Sequence, residues 1–144
     1  MSDRARVNPL EPLLGYQLRR ASAAMQADLN TRLATAGVTT VEMSILLVVE
    51  ANPQITQSEI GRMLSIKSAN MAPLVGGLCN RGLMERMPVN GRSHGLRLTK
   101  AGEGIIGDLL GHIRANEEAI MAHLSSPQRE QAKQLLRALW ADKR

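Results

Sequence analysis

At 144 residues and 44% hydrophobic, with no Phe, one Trp and one Tyr, the chain is long enough to bury one core and must build it from aliphatic side chains. That usage favours packed helices over a sandwich, which would need aromatic and β-branched strands. A formal net charge of +5 suits a polyanionic partner. Cys79 is the only cysteine, which excludes an internal disulfide framework and fits a reducing compartment. No signal-peptide pattern is found, and no apolar run approaches the ~20 residues that span a bilayer, so a soluble, cytoplasmic chain without a membrane partner is expected.

Residues through about Pro9 are polar and expected to be loose. From Leu10, the positions Leu14, Leu18, Ala21, Met25, Leu29 and Leu33 step by three or four, predicting a long amphipathic helix that ends near Gly37. Thr39 and Glu42 form a capping-box pattern that opens a second helix with Val41, Ile45, Leu46, Val48 and Val49 inward, stopped by Asn52-Pro53. Thr56 and Glu59 repeat the pattern for a short third helix through Ile60, Met63 and Leu64.

After a turn at Ser65-Ile66, a fourth segment places Met71, Leu74, Val75, Leu78 and Cys79 on one face. Ser68, Asn70, Pro73, Gly76, Gly77 and Asn80 lie on the other. Two short helices joined tightly, the second with a small, polar outer face, predict a helix-turn-helix. Pro73 implies either that this helix starts late, near Asn70, or that it bends.

A hairpin from Leu83 to Leu98 follows, with Asn90-Gly91 as the expected turn because both accept positive φ. Arg81, Arg86, Arg92, Arg97 and Lys100 cluster here against Glu85 alone, which favours nucleic acid as the anion. Thr99 then caps a helix bearing Ile105, Ile106, Leu109, Leu110, Ile113, Ile120, Met121 and Leu124. Ser126-Pro127 starts a last helix with Ala132, Leu135, Leu136, Leu139 and Trp140, the serine as N-cap.

The order of elements and the run "TQSEIGRMLSIKSANMAPLVGGLCNRGLMERMPVNGRSHGLRLTKAG" resemble the MarR-type transcriptional regulators. The most specific match is the wing signature, here Asn90-Gly91-Arg92, then five residues and Leu98-Thr99, with Ala101-Gly102 behind. Asn90 stands where the family usually has aspartate, so it is expected to hydrogen-bond Arg92 without charge. The resemblance implies a mainly α fold in one domain over 1–144, with a winged helix-turn-helix unit over 39–99. It further implies dimerisation helices over 10–36 and 100–144.

The resemblance also implies a homodimer on a pseudo-palindromic double-stranded operator, acting as a repressor released by a small, phenolic or otherwise aromatic molecule. DNA contact falls to Thr56, Gln57, Lys67, Ser68, Asn70, Met71, Arg92, Ser93 and His94. Asn70 can bond adenine in two places, Ser68 can reach a base or a phosphate, Lys67 suits phosphate, and Arg92 suits a narrow minor groove. Tyr16, Arg19 and Arg20 are candidate ligand contacts, since an anionic effector needs a cation.

Asp108 and His112, spaced i, i+4, with His123 beyond, read as a surface ion pair rather than a metal site. No phosphate loop or nucleophile–base pair is present, so catalytic residues, metals and cofactors are not expected. Two other readings are open: a dimeric protein-interaction module, and a redox-responsive regulator using Cys79, although the apolar stripe places that thiol in the core.

Overall fold

A computed structural model of the chain describes residues 5–141. The expectations for residues 1–4 and 142–144 lie outside it. The described elements are α1 (Leu14–Leu33), a 3₁₀ turn (Ala34–Ala36), α2 (Thr40–Ala51), β1 (Ile55–Thr56), α3 (Gln57–Leu64), α4 (Ser68–Asn80), β2 (Met84–Asn90), β3 (Ser93–Leu98), α5 (Lys100–Met121) and α6 (Ser126–Trp140). The fold is mainly helical with a small antiparallel sheet in the order β1-β3-β2. Among the described residues, no single helix is long and apolar enough to cross a membrane.

Local chemistry sets most of the boundaries. The capping boxes at Thr39/Glu42 and Thr56/Glu59 are both formed, each side chain satisfying an end-of-helix amide. α1 starts at Leu14 and not at Leu10, because Pro12 disfavours helical backbone just before it and residues 9–12 form a turn instead. Asn8 is not loose: its amide donates to the Tyr16 hydroxyl at 2.8 Å. The last helix is capped by Ser125, one residue before the expected Ser126, because Ser125 and Gln128 form a reciprocal box with Pro127 in the first turn.

α4 begins at Ser68, with Lys67 as N-cap, and continues through Pro73, so the late start near Asn70 does not occur. Pro73 has no N–H to give the Ala69 carbonyl, and both residues are exposed. Water can therefore take up that carbonyl's bonding capacity.

The core lies where α2, α3, α4 and the sheet meet the second half of α1 and the first half of α5. Leu33, Ile45, Leu46, Ile60, Met71, Val75, Leu78, Leu96 and Leu109 are all fully enclosed there. One buried polar group joins the long helices: Asn116 of α5 donates to the Met25 carbonyl and to Asp28 of α1, at 3.1 and 2.9 Å. α6 contributes no buried residue.

The sheet has one strand more than the sequence suggested. β1 pairs with β3 through Ile55↔Leu96 and Thr56↔Gly95, while Met87 of β2 faces the same Gly95 from the other side. Gly95 is therefore paired on both sides, at the middle of the sheet. A Cβ there would come within 2.6 Å of both the Gln54 carbonyl and a Val89 methyl, so only glycine lets the chains close in.

Candidate nucleic-acid interface

α4 divides into two surfaces. Met71, Val75 and Leu78 are in the core, and Ser68, Ala69, Asn70, Ala72 and Pro73 are exposed on the outer side. The implied DNA contact at Met71 is corrected by this packing: the side chain is 1% exposed and lies inward against α3. Lys67, Ser68 and Asn70 stand together at the start of the helix, exposed, and their side chains make no hydrogen bond among the described residues.

Gln57 and Ser68 both line a cleft of about 350 Å³ between α3 and α4, with Arg62 beside them. Thr56 is occupied elsewhere. Its hydroxyl accepts from the Glu59 amide and donates to the Glu59 carboxylate, and its own amide donates to that carboxylate as well. These bonds hold the Glu59 carboxyl below its usual range, the backbone amide of Thr56 being the largest cause and its hydroxyl the next. Thr56 is thus the cap of α3, with little capacity left for DNA.

The wing turn sits one residue later than the Asn-Gly signal indicates. Asn90 pairs with Ser93, so Gly91 and Arg92 form the turn, and neither Asn90 nor Gly91 takes positive φ. The cause is the register shift between Pro88 and Asn90, which bulges Val89 out of the ladder. Pro88 has no N–H for a ladder bond and is tolerated because β2 is an edge strand. Arg92 therefore occupies the tip, flanked by exposed Ser93 and His94. No side-chain hydrogen bond from Asn90 to Arg92 is formed among the described residues, contrary to expectation.

The basic cluster separates into two kinds of cation. Arg81 joins the Glu42 carboxylate at 3.2 Å and donates to the Gly37 carbonyl, tying the end of α4 to the start of α2. Arg97 pairs with Glu85 directly across the β2–β3 ladder. Both already have carboxylate partners within the chain. Arg92 and Arg86 form no ion pair among the described residues and are exposed. The sequence alone could have separated them only through Glu42 and Glu85 as partners, and Glu42 is 39 positions from Arg81.

Tyr16, Arg19 and Arg20 do come together, on the first turns of α1. The Arg19 and Arg20 guanidiniums lie 5.5 and 5.8 Å from the Tyr16 ring centre, and Arg20 also donates to its hydroxyl. A cavity of about 650 Å³ lies further along, among α1, α5 and α6, with Met25, Arg114, Glu117, Met121 and Leu136 in its walls. Those three residues do not line it.

Cys79 is half-buried against the core, and burial pushes its thiol pKa up, with Arg86 acting weakly the other way. That environment opposes the thiolate a redox sensor needs. His112 Nε2 lies 3.3 Å from an Asp108 carboxylate oxygen at the expected i, i+4 spacing, but that nitrogen is buried and makes no hydrogen bond among the described residues. Among the described residues, no group of three or more His, Cys, Asp or Glu is placed to hold a metal ion.

A helix-turn-helix with a basic wing is thus in place, and residues 36–93 match the family model described as MarR family. Over that segment the chain is similar to the MarR family. A curated MarR-like relative, the "HTH-type transcriptional repressor Rv2887" of Mycobacterium tuberculosis, is 27% identical over 131 residues, covering 90% of this chain and 94% of the relative. A solved structure of that M. tuberculosis MarR family protein with salicylic acid superposes with a TM-score of 0.71 at 26% identity, covering 94% of this chain and 98% of the other. The transcriptional repressor CouR superposes with a TM-score of 0.85 at 28% identity, covering 95% and 98%.

Proposed function

We propose that this chain is a dimeric transcriptional repressor of the MarR family. It binds a pseudo-palindromic duplex through α4 and the β2–β3 wing, and a small aromatic ligand releases it. The observation that carries this reading is the two-sided build of α4 and the wing. The inner face of α4 is core, whereas Lys67, Ser68, Asn70, Arg92 and His94 project outward with no internal bonding partner among the described residues. Side chains held at fixed places on a rigid scaffold yet left unsatisfied are suited to an external polar ligand. The named function of the curated relative supports the same reading.

Dimerisation is supported by the apolar surface left on α6, where Leu135 is 63% and Trp140 71% exposed. A two-fold dimer would present two α4 helices to successive major-groove faces, which is why the operator should be pseudo-palindromic. The salicylic acid complex of the M. tuberculosis protein supports an aromatic acid as effector. Arg19 and Arg20 beside Tyr16 supply cations for such an acid, and the α1–α5–α6 cavity, walled in part by Arg114, is an alternative seat.

The test is an Arg92→Ala variant assayed on duplex from upstream of the protein's own gene. Removing one phosphate or minor-groove cation should weaken binding and lower the salt slope by about one, with the melting temperature unchanged. Unchanged affinity would refute the assignment of the wing.

A further inference from the structure

The outer face of α4 has an unusual chemical inventory for a helix that reads bases. From Ser68 to Asn80 there is no Arg, Lys, His, Gln, Asp or Glu. Guanine is read in the major groove chiefly by Arg or Lys, and the cytosine amino group by Asp or Glu. α4 carries neither set. The exposed residues of its first turns, where base contact concentrates, are Ser68, Ala69, Asn70, Ala72 and Pro73. Three of these five offer only apolar surface, and Asn70 matches the donor–acceptor pair of adenine.

The helix also gives up stability along this outer side for no internal reason. Pro73 removes a backbone bond in mid-helix, and a Cβ at Gly76 or Gly77 would meet nothing within 4 Å, so packing within the chain does not require glycine there. In a helix interior each glycine costs about 1 kcal/mol relative to alanine. A requirement that internal packing does not impose is met if an outside surface must approach this face closely.

We propose that α4 selects its half-site through thymine methyl groups packed on Ala69, Ala72 and Pro73, with Asn70 on a neighbouring adenine, and that it lacks the two-bond readout of guanine that Arg or Lys provides. This rests on the DNA-binding reading above and deepens it by naming the base class read. Lys67, just before the helix, and Arg62 and Arg92 around it then act on phosphate or groove charge, contributing affinity without base preference.

The experiment is selection of the full chain on a random duplex library, followed by single replacements in the enriched duplex. Thymine is exchanged for deoxyuridine, which deletes only the major-groove methyl and leaves the minor-groove edge under the wing unchanged. Guanine is exchanged for 7-deazaguanine, which deletes its N7 acceptor. Enriched half-sites should carry A·T pairs at the deoxyuridine-sensitive positions, each lost methyl lowering affinity about fourfold. Asn70→Ala should erase the adenine preference beside them, with unchanged melting, because Asn70 is exposed and unbonded. Enriched sites that are indifferent to deoxyuridine and lose about tenfold with 7-deazaguanine would overturn the proposal, while leaving the DNA-binding reading intact. A library with no enrichment would overturn both.

Discussion

Two arginines eleven positions apart show how one basic run divides its work. Arg92 is exposed at the wing tip, whereas Arg81 holds Glu42 and the Gly37 carbonyl. Replacing Arg81 with alanine should therefore cost about 1 kcal/mol of stability, a fall of about 2–4 °C in Tm, and leave DNA affinity at fixed protein concentration almost unchanged. The opposite pattern, intact stability with lost affinity, would place Arg81 on the DNA. Composition and clustering identified the run but not this division, because a cation's partner is set by tertiary contacts such as Glu42. The same limit applied to Met71, whose place in the apolar stripe of α4 was readable and outweighs the role that the family resemblance gave it. At Cys79 the raised pKa leads to a simple expectation: Cys79→Ser should bind DNA as the parent does, with or without peroxide, and an oxidant response lost in that variant would contradict the burial argument.

At the scale of elements, the capping chemistry was the most legible part of the sequence. Thr39/Glu42, Thr56/Glu59 and Thr99 all start helices where their spacing indicates, since each device is local and needs no tertiary partner. β1 was not legible, because a two-residue strand carries no periodicity and exists only through its pairing with β3. The wing turn was misplaced for a related reason: the Asn-Gly signal assumes an unbroken ladder, and the bulge at Val89 breaks it. Gly95 marks the place where the three strands converge, so Gly95→Ala should destabilise the unit by about 1–3 kcal/mol as the wing is pushed from β1, with weaker DNA binding as a consequence. A variant as stable as the parent would show that the wing can shift freely.

Three carboxylates link the elements to pH. The Arg32 hydrogen bond, helped by Asn116, lowers the pKa of Asp28; the Thr56 amide lowers that of Glu59; and the Arg129 hydrogen bond lowers that of Glu118 at the α5–α6 corner. Each folded pKa lies below its unfolded value, so the stabilisation is fully present above the ordinary carboxylate range and is lost as pH falls through the folded values. Tm should be level from pH 7 to about pH 5 and decline below about pH 4. A Tm that rises on acidification would contradict these assignments.

For the whole molecule, the winged unit supplies most of the enclosed core, with Leu33 of α1 and Leu109 of α5 closing it, while the outer helices leave apolar surface exposed. α1 buries only Leu29 and Leu33, near its end, and α6 buries nothing. Their stripes were plain in the sequence, yet periodicity reports only that a face is apolar and never which surface covers it. If a second copy does so, Leu136→Glu with Leu139→Glu should yield a monomer by sedimentation and lose most of the operator affinity, because one half-site would be bound at a time. A dimer retained in that double variant would place the interface elsewhere. Salicylate added to the parent protein on its operator should lower apparent affinity, and the Arg20→Ala variant should require more of it if α1 holds the effector.

We propose that α4 and the wing together form a sequence-specific DNA surface. The most direct test is fluorescence anisotropy of the full chain on labelled duplex from upstream of its own gene, beside a scrambled duplex, at several salt concentrations. The expected result is binding to the upstream duplex at least about a thousandfold tighter than to the scrambled one, falling steeply with salt in both. Equal affinity for the two duplexes at every salt concentration, or no binding to either at low salt, would contradict the claim.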